Sequence, residues 1–237
     1  MLADLSVRWI MDKFGTIKEL AKEVLIIPTL NGGLDRSLWD RGQRMVRNVD
    51  YICGLPEVVD SGLPIDRFCL LSAAYFSDSG LARRFSSAKE MPGLAILSVG
   101  GEELLEVSTE VVTERLCGVV EDARIEKINR IITESGDRSS RMQEAMILSD
   151  SRNLEDMGAI GIFNELRESI AGGKGVSEVV SSWQSKIDYR YWQARLEKSF
   201  RFASVRELAG QRLLTAESFM EQLKIEAEGC DLVGFKS

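Results

Sequence analysis

Histidine is absent from the 237 residues. That gap excludes Ser-His and Cys-His nucleophilic pairs, every histidine-bearing zinc site and an imidazole general base. Chemistry in this chain has to come from carboxylates, Lys, Arg, Tyr, Cys or water. Cysteine is scarce: Cys53, Cys69, Cys117 and Cys230 are widely spaced, form no C-x-x-C pair, and read as reduced thiols. Long apolar runs are missing too, since no stretch approaches the roughly 18 uninterrupted apolar residues that a spanning helix needs. The first residues carry Asp4 and Asp12 and lack the basic segment and apolar run of a signal peptide. No membrane partner and a cytoplasmic location are therefore expected. Positive charge is in deficit, with a net charge of −7. A nucleic-acid partner is not expected, because phosphate-tracking proteins draw most of their affinity from a basic surface. A local basic pocket for a small anion remains compatible with that balance.

What the chain does contain is the composition of a globular protein, 44% hydrophobic and 28% charged. Apolar residues recur at three- and four-residue intervals over residues 3–25, predicting an N-terminal helix, and Pro28 with Gly32 and Gly33 breaks it. Over 36–54, Leu38, Gly42, Met45, Val49, Ile52 and Cys53 share one side of a helix, with Arg41, Arg44 and Asn48 beside that stripe. A helix beginning near Pro64 is expected to run through Phe68-Cys69-Leu70-Leu71-Ser72-Ala73-Ala74-Tyr75-Phe76, apolar almost all round, and to end at Ser77-Asp78-Ser79-Gly80. A carboxylate at the end of a buried segment needs a partner. Further helices are expected over 102–117, 123–135, 139–148, 158–170, 176–200 and 203–228, with one short extended piece at 94–99. The expected class is all-α: a helical arm and linker at 1–35, one domain at 36–228 and a tail at 229–237.

The ordered motifs resemble the HD domain of the metal-dependent phosphohydrolase superfamily. The run Arg41-Gly42-Gln43-Arg44-Met45-Val46 is similar to the family's opening histidine motif, and Ala73-Ala74-Tyr75-Phe76-Ser77-Asp78 is similar to its His-Asp helix. Ser135 falls where a further histidine stands, and Asp150-Ser151-Arg152 followed by Gly158-Ala159-Ile160-Gly161-Ile162 resembles a later aspartate motif. The resemblance implies an HD-like helical bundle and a divalent-metal pocket for phosphoester hydrolysis. Of the four ligands it implies, only Asp78 and Asp150 remain, while Arg41 and Arg152 bring positive charge toward the cation's place. The expectation is a degenerate pocket of Arg41, Arg44, Ser77, Asp78, Ser135, Asp150 and Arg152, with no metal and no cofactor. Such a pocket is structural or takes an anionic phosphate- or nucleotide-type ligand. A phosphohydrolase with an atypical oxygen-rich site and a protein-interaction module are the alternatives, and oligomeric state is not legible.

Other motifs read as structure. Ala171-Gly172-Gly173-Lys174-Gly175 lacks the Ser or Thr and the glycine spacing of a phosphate loop, so it reads as a helix connection. Trp9, Trp39, Trp183 and Trp192 read as core or interface anchors. The Gly158–Ile162 run reads as a close helix contact.

Overall fold

The computed structural model describes residues 2–29, 32–87 and 101–235. Among these the chain is all-α, with twelve α-helices and one minimal hairpin. The helices are α1 (Leu2–Leu25), α2 (Ser37–Cys53), α3 (Pro56–Val59), α4 (Arg67–Phe76), α5 (Ser79–Ser87), α6 (Glu102–Leu116) and α7 (Asp122–Glu134). They continue with α8 (Gln143–Glu155), α9 (Gly158–Ala171), α10 (Val176–Asp188), α11 (Tyr191–Ser199) and α12 (Ala203–Glu228), before a short 3-10 turn, Cys230–Phe235. Strand β1 (Ile27–Pro28) pairs antiparallel with β2 (Leu34–Asp35), across a turn in which Gly32 takes a positive φ of 75°. No helix among the described residues is long and apolar enough to cross a membrane. The extended piece expected at 94–99 lies outside the described residues.

Two compact units divide the chain, one ending at Arg152 and the other starting at Asn153. In the first unit α4 is central, packed by α1, α2 and α7. Its composition explains that place: apart from Arg67 and Leu71 every residue of the helix is buried, Phe68, Leu70, Ala73, Ala74 and Phe76 among them. The N-terminal helix packs its Ile17, Ala21 and Leu25 into this core. Trp39 stacks on Tyr75 with ring centroids 5.6 Å apart, fastening α2 to α4.

The start of α4 is set by charge and hydrogen bonding. Asp66 is its N-cap and accepts the Cys69 N–H at 3.1 Å. The Asp66 N–H donates to Glu144 of α8 at 3.1 Å, and Lys127 of α7 reaches the same Glu144 oxygen at 2.9 Å. This network starts α4 at Arg67, three residues beyond Pro64, which stays in the preceding loop. Helix α8 likewise begins later and runs further than expected, so that Asp150 and Arg152 both lie inside it.

In the second unit α9 and α12 pack closely. Gly158 has a φ of 77°, and a Cβ there would lie 2.9 Å from the Arg212 Cβ, so the glycine permits this approach. The single helix expected over 176–200 is broken by Arg190, whose φ of 54° is left-handed. No glycine or proline marks that break.

The burial pattern separates the thiols. Cys53 and Cys69 are buried, Cys117 and Cys230 exposed. Burial, then the neighbouring Asp66 carboxylate, pushes the Cys69 thiol up to about 12, and burial also raises Cys53. The folded-state value of Cys69 lies above its unfolded value, so its contribution to stability is complete below the ordinary thiol range and is lost as pH rises toward about 12. Native protein treated with a thiol-specific chromogenic disulfide at pH 8 is expected to release colour rapidly from two thiols, Cys117 and Cys230. The other two should react only after denaturant is added. Rapid reaction of a third thiol in native protein would contradict this burial.

Candidate functional site

Three segments of the first unit meet around Met45 of α2. This residue is fully buried. The Ser77 hydroxyl, at the C-terminal end of α4, lies 3.9 Å from the Met45 sulfur and 3.3 Å from the Ala74 carbonyl of its own helix. From α8, the Ser151 hydroxyl donates to the Met45 backbone carbonyl at 3.1 Å. One side chain and its carbonyl thus join the Ser77-Asp78 end to the helix turn bearing Asp150.

One turn before Met45, Arg41 points its guanidinium at Asp78. The Nε to Oδ2 distance is 3.0 Å, and the side chains are only 7% and 9% exposed. The two atoms meet as charges, off the geometry of a directed hydrogen bond with each other. The periodicity of α2 explains the placement: with Leu38, Gly42, Met45 and Val49 committed to the core, position 41 sits at the edge of the buried stripe. Its long side chain can then reach inward with charge at the tip. A buried carboxylate without a counter-charge would carry a large desolvation penalty, which the guanidinium offsets.

The other expected residues are placed as follows. Asp150 is fully buried in α8 and engaged by neighbours. Arg44 and Arg152 are half-buried and also engaged. Ser135 is buried at the C-cap of α7, where its hydroxyl donates to the Ile132 carbonyl at 2.7 Å. That bond ties Ser135 to its own helix. Sequence reasoning misses Met45 and Ser151 as the junction, although a serine beside Asp150 on a buried helix is a polar group in need of a partner.

Immediately after Asp78, α5 presses against α6. A Cβ on Gly80 would lie 2.2 Å from the Leu104 carbonyl oxygen and 2.9 Å from both the nitrogen and the hydroxyl of Ser108. The Gly80 N–H donates to the Ser108 hydroxyl at 2.9 Å, and that hydroxyl reaches the Ser77 carbonyl at 3.0 Å. Asp78 is therefore held between two helix ends pinned on one serine.

This donor set does not suit a divalent cation. Among the described residues no group of three or more Cys, Asp or Glu side chains is arranged to hold a metal ion. An ion bound at the Asp78 oxygen would meet the guanidinium already 3.0 Å from it. The arrangement can hold a buried negative charge rigidly against the Arg41 guanidinium.

Solved structures share this fold. Bacillus subtilis YpgQ in complex with ADP is 16% identical, with a TM-score of 0.59, and the match covers 92% of this chain and 96% of that one. YpgQ in a second crystal structure gives a TM-score of 0.58 at 16% identity, with the same coverage. Its selenomethionine form gives 0.61 at 16%, covering 92% of this chain and 95% of that one. At this identity the likeness is one of fold. No protein-family model matches the chain, and no curated protein matches it.

Proposed function

We propose that this chain is a catalytically impaired HD-domain-like protein, in which a guanidinium stands where the metal of active relatives would be held. The observation that carries the reading is the buried ion pair of Arg41 and Asp78, at 3.0 Å. An active pocket of that kind needs imidazole and carboxylate ligands converging on one ion. Here two carboxylates remain, no histidine exists in the chain, and one carboxylate is already neutralised. Arg41 matches Asp78 in charge without any need for an ion, and the pair serves as structure.

A phosphate- or nucleotide-type ligand is the second reading. Its support is that two further arginines, Arg44 and Arg152, stand on α2 and α8, the helices that carry Arg41 and Ser151, together with the fold likeness to a YpgQ structure that contains ADP. Protein purified without added metal is expected to carry no stoichiometric iron, manganese or zinc by elemental analysis. Magnesium or manganese should not elicit phosphatase activity. One tightly held transition metal per chain, or metal-dependent hydrolysis abolished in Asp78→Ala, would replace this reading with the atypical phosphohydrolase. Calorimetric titration with inorganic phosphate and with ADP decides the ligand question. Saturable binding weakened by both Arg44→Ala and Arg152→Ala supports an anion site, and no binding of either leaves the structural role. A protein-interaction module is the reading left if neither metal nor anion binds and a partner is found at another surface.

A further inference from the structure

The second unit carries a groove of about 400 Å³ between α10 and α12. Along α10 it is lined by Val180, Trp183 and Ile187, a spacing of three and four residues that puts them on one helix face. Met220 of α12 lies in the same lining and, like Trp183, is almost fully buried. The α12 wall is charged. Glu217, Glu221 and Lys224 follow one another at intervals of four and three residues, so negative, negative and positive charges stand in line over two turns.

Two further observations bear on what covers this groove. The stripes do not stop at its ends: Val176, one turn before Val180, is 49% exposed, and Leu214, one turn before the Glu217-Ser218 position, is 65% exposed. The rim charges are also uncommitted, since among the described residues Glu217, Glu221 and Lys224 take part in no ion pair. Elsewhere in this unit Lys186 pairs with Glu165 at 2.6 Å. An apolar floor with an ordered, unpaired charge pattern on one wall is the complement of an amphipathic helix. Seven residues of helix span about 10 Å, so a partner helix needs only two to three turns to lie along it.

We propose that this groove docks an amphipathic helix of a partner protein. The partner's apolar stripe lies over Trp183, Val180 and Ile187. Its flank carries basic, basic and acidic residues spaced i, i+4 and i+7, opposite Glu217, Glu221 and Lys224. The floor supplies affinity and the rim supplies register and selection against helices of the wrong charge order.

The test uses the full chain and a fluorescently labelled synthetic helix with leucines on one face and Lys, Lys and Glu at i, i+4 and i+7 on the flank. Anisotropy is expected to show saturable binding that weakens with salt. Affinity should fall about tenfold in the double variant Glu217→Lys, Glu221→Lys. It should be recovered with a peptide whose two lysines are glutamates. The substituted side chains lie on the rim, and circular dichroism checks that the variant remains folded. Three results overturn the proposal: no saturable binding, equal affinity for a peptide with the same residues in permuted charge order, or equal affinity for the double variant. A concentration-dependent dimer dispersed by Val180→Asp would also overturn it, by showing that a second copy of this chain covers the groove. None of these outcomes depends on metal or anion binding in the first unit.

Discussion

Arg41→Ala is expected to lower unfolding stability by about 3–5 kcal/mol, because it strands Asp78 as an unpaired buried carboxylate. Asp78→Ala should cost a comparable amount by stranding the guanidinium. The double variant should cost much less than the sum, since it removes both charges together. Urea denaturation of the wild type, both single variants and the double variant gives the coupling energy, and a value near zero would show that the pair does not hold this site. The exposed pair Arg67 and Asp50, whose side chains are 53% and 60% accessible, is the internal control. The same cycle there should give less than about 1 kcal/mol, because solvent screens both charges before and after folding.

Gly80→Ala is the second large effect. Its Cβ would sit 2.2 Å from a backbone oxygen of α6 and 2.9 Å from a backbone nitrogen, and backbone cannot rotate away as a flexible side chain can. Either α5 separates from α6 or the Ser77-Ser108-Gly80 hydrogen bonds break. About 3 kcal/mol or more of destabilisation is expected. Gly15, in α1 of the same unit, has nothing within 4 Å of the point where a Cβ would stand. There the same change should stabilise by roughly 0.5–1 kcal/mol, through helix propensity. Thermal denaturation of the two variants side by side tests the contrast, and a Gly80→Ala protein as stable as Gly15→Ala would refute the close contact.

The parts of this fold legible in the sequence are those written in periodicity. The apolar run of α4, the edge position of Arg41 on α2 and the apolar stripe of α12 all stand in the helices where the pattern puts them. The approach of Arg41 to Asp78 is legible only as the joint demand of a buried carboxylate and a neighbouring arginine. What periodicity does not carry is tertiary override of local signals. Ser77-Asp78-Ser79-Gly80 has the wording of a turn, yet α5 begins at Ser79, because Gly80 is needed against α6 and the serines bond to carbonyls. Arg190 breaks a helix without a residue type that announces a break. Ser135 enters the expected pocket by sequence position alone, and its hydroxyl is taken up by its own helix. The groove of the second unit is invisible in the sequence because its two walls are far apart along the chain.

The counter-ion of Asp78 is a side chain of the same polypeptide. An ion held from solution fills its site according to its concentration, so the stability it confers rises and falls with supply and is removed by a chelator. A tethered guanidinium is present once per chain at any dilution, keeps its charge across the whole range of pH in which proteins fold, and neither exchanges nor changes oxidation state. Its occupancy is written at synthesis, and the Arg41–Asp78 contact itself does not vary with metal supply.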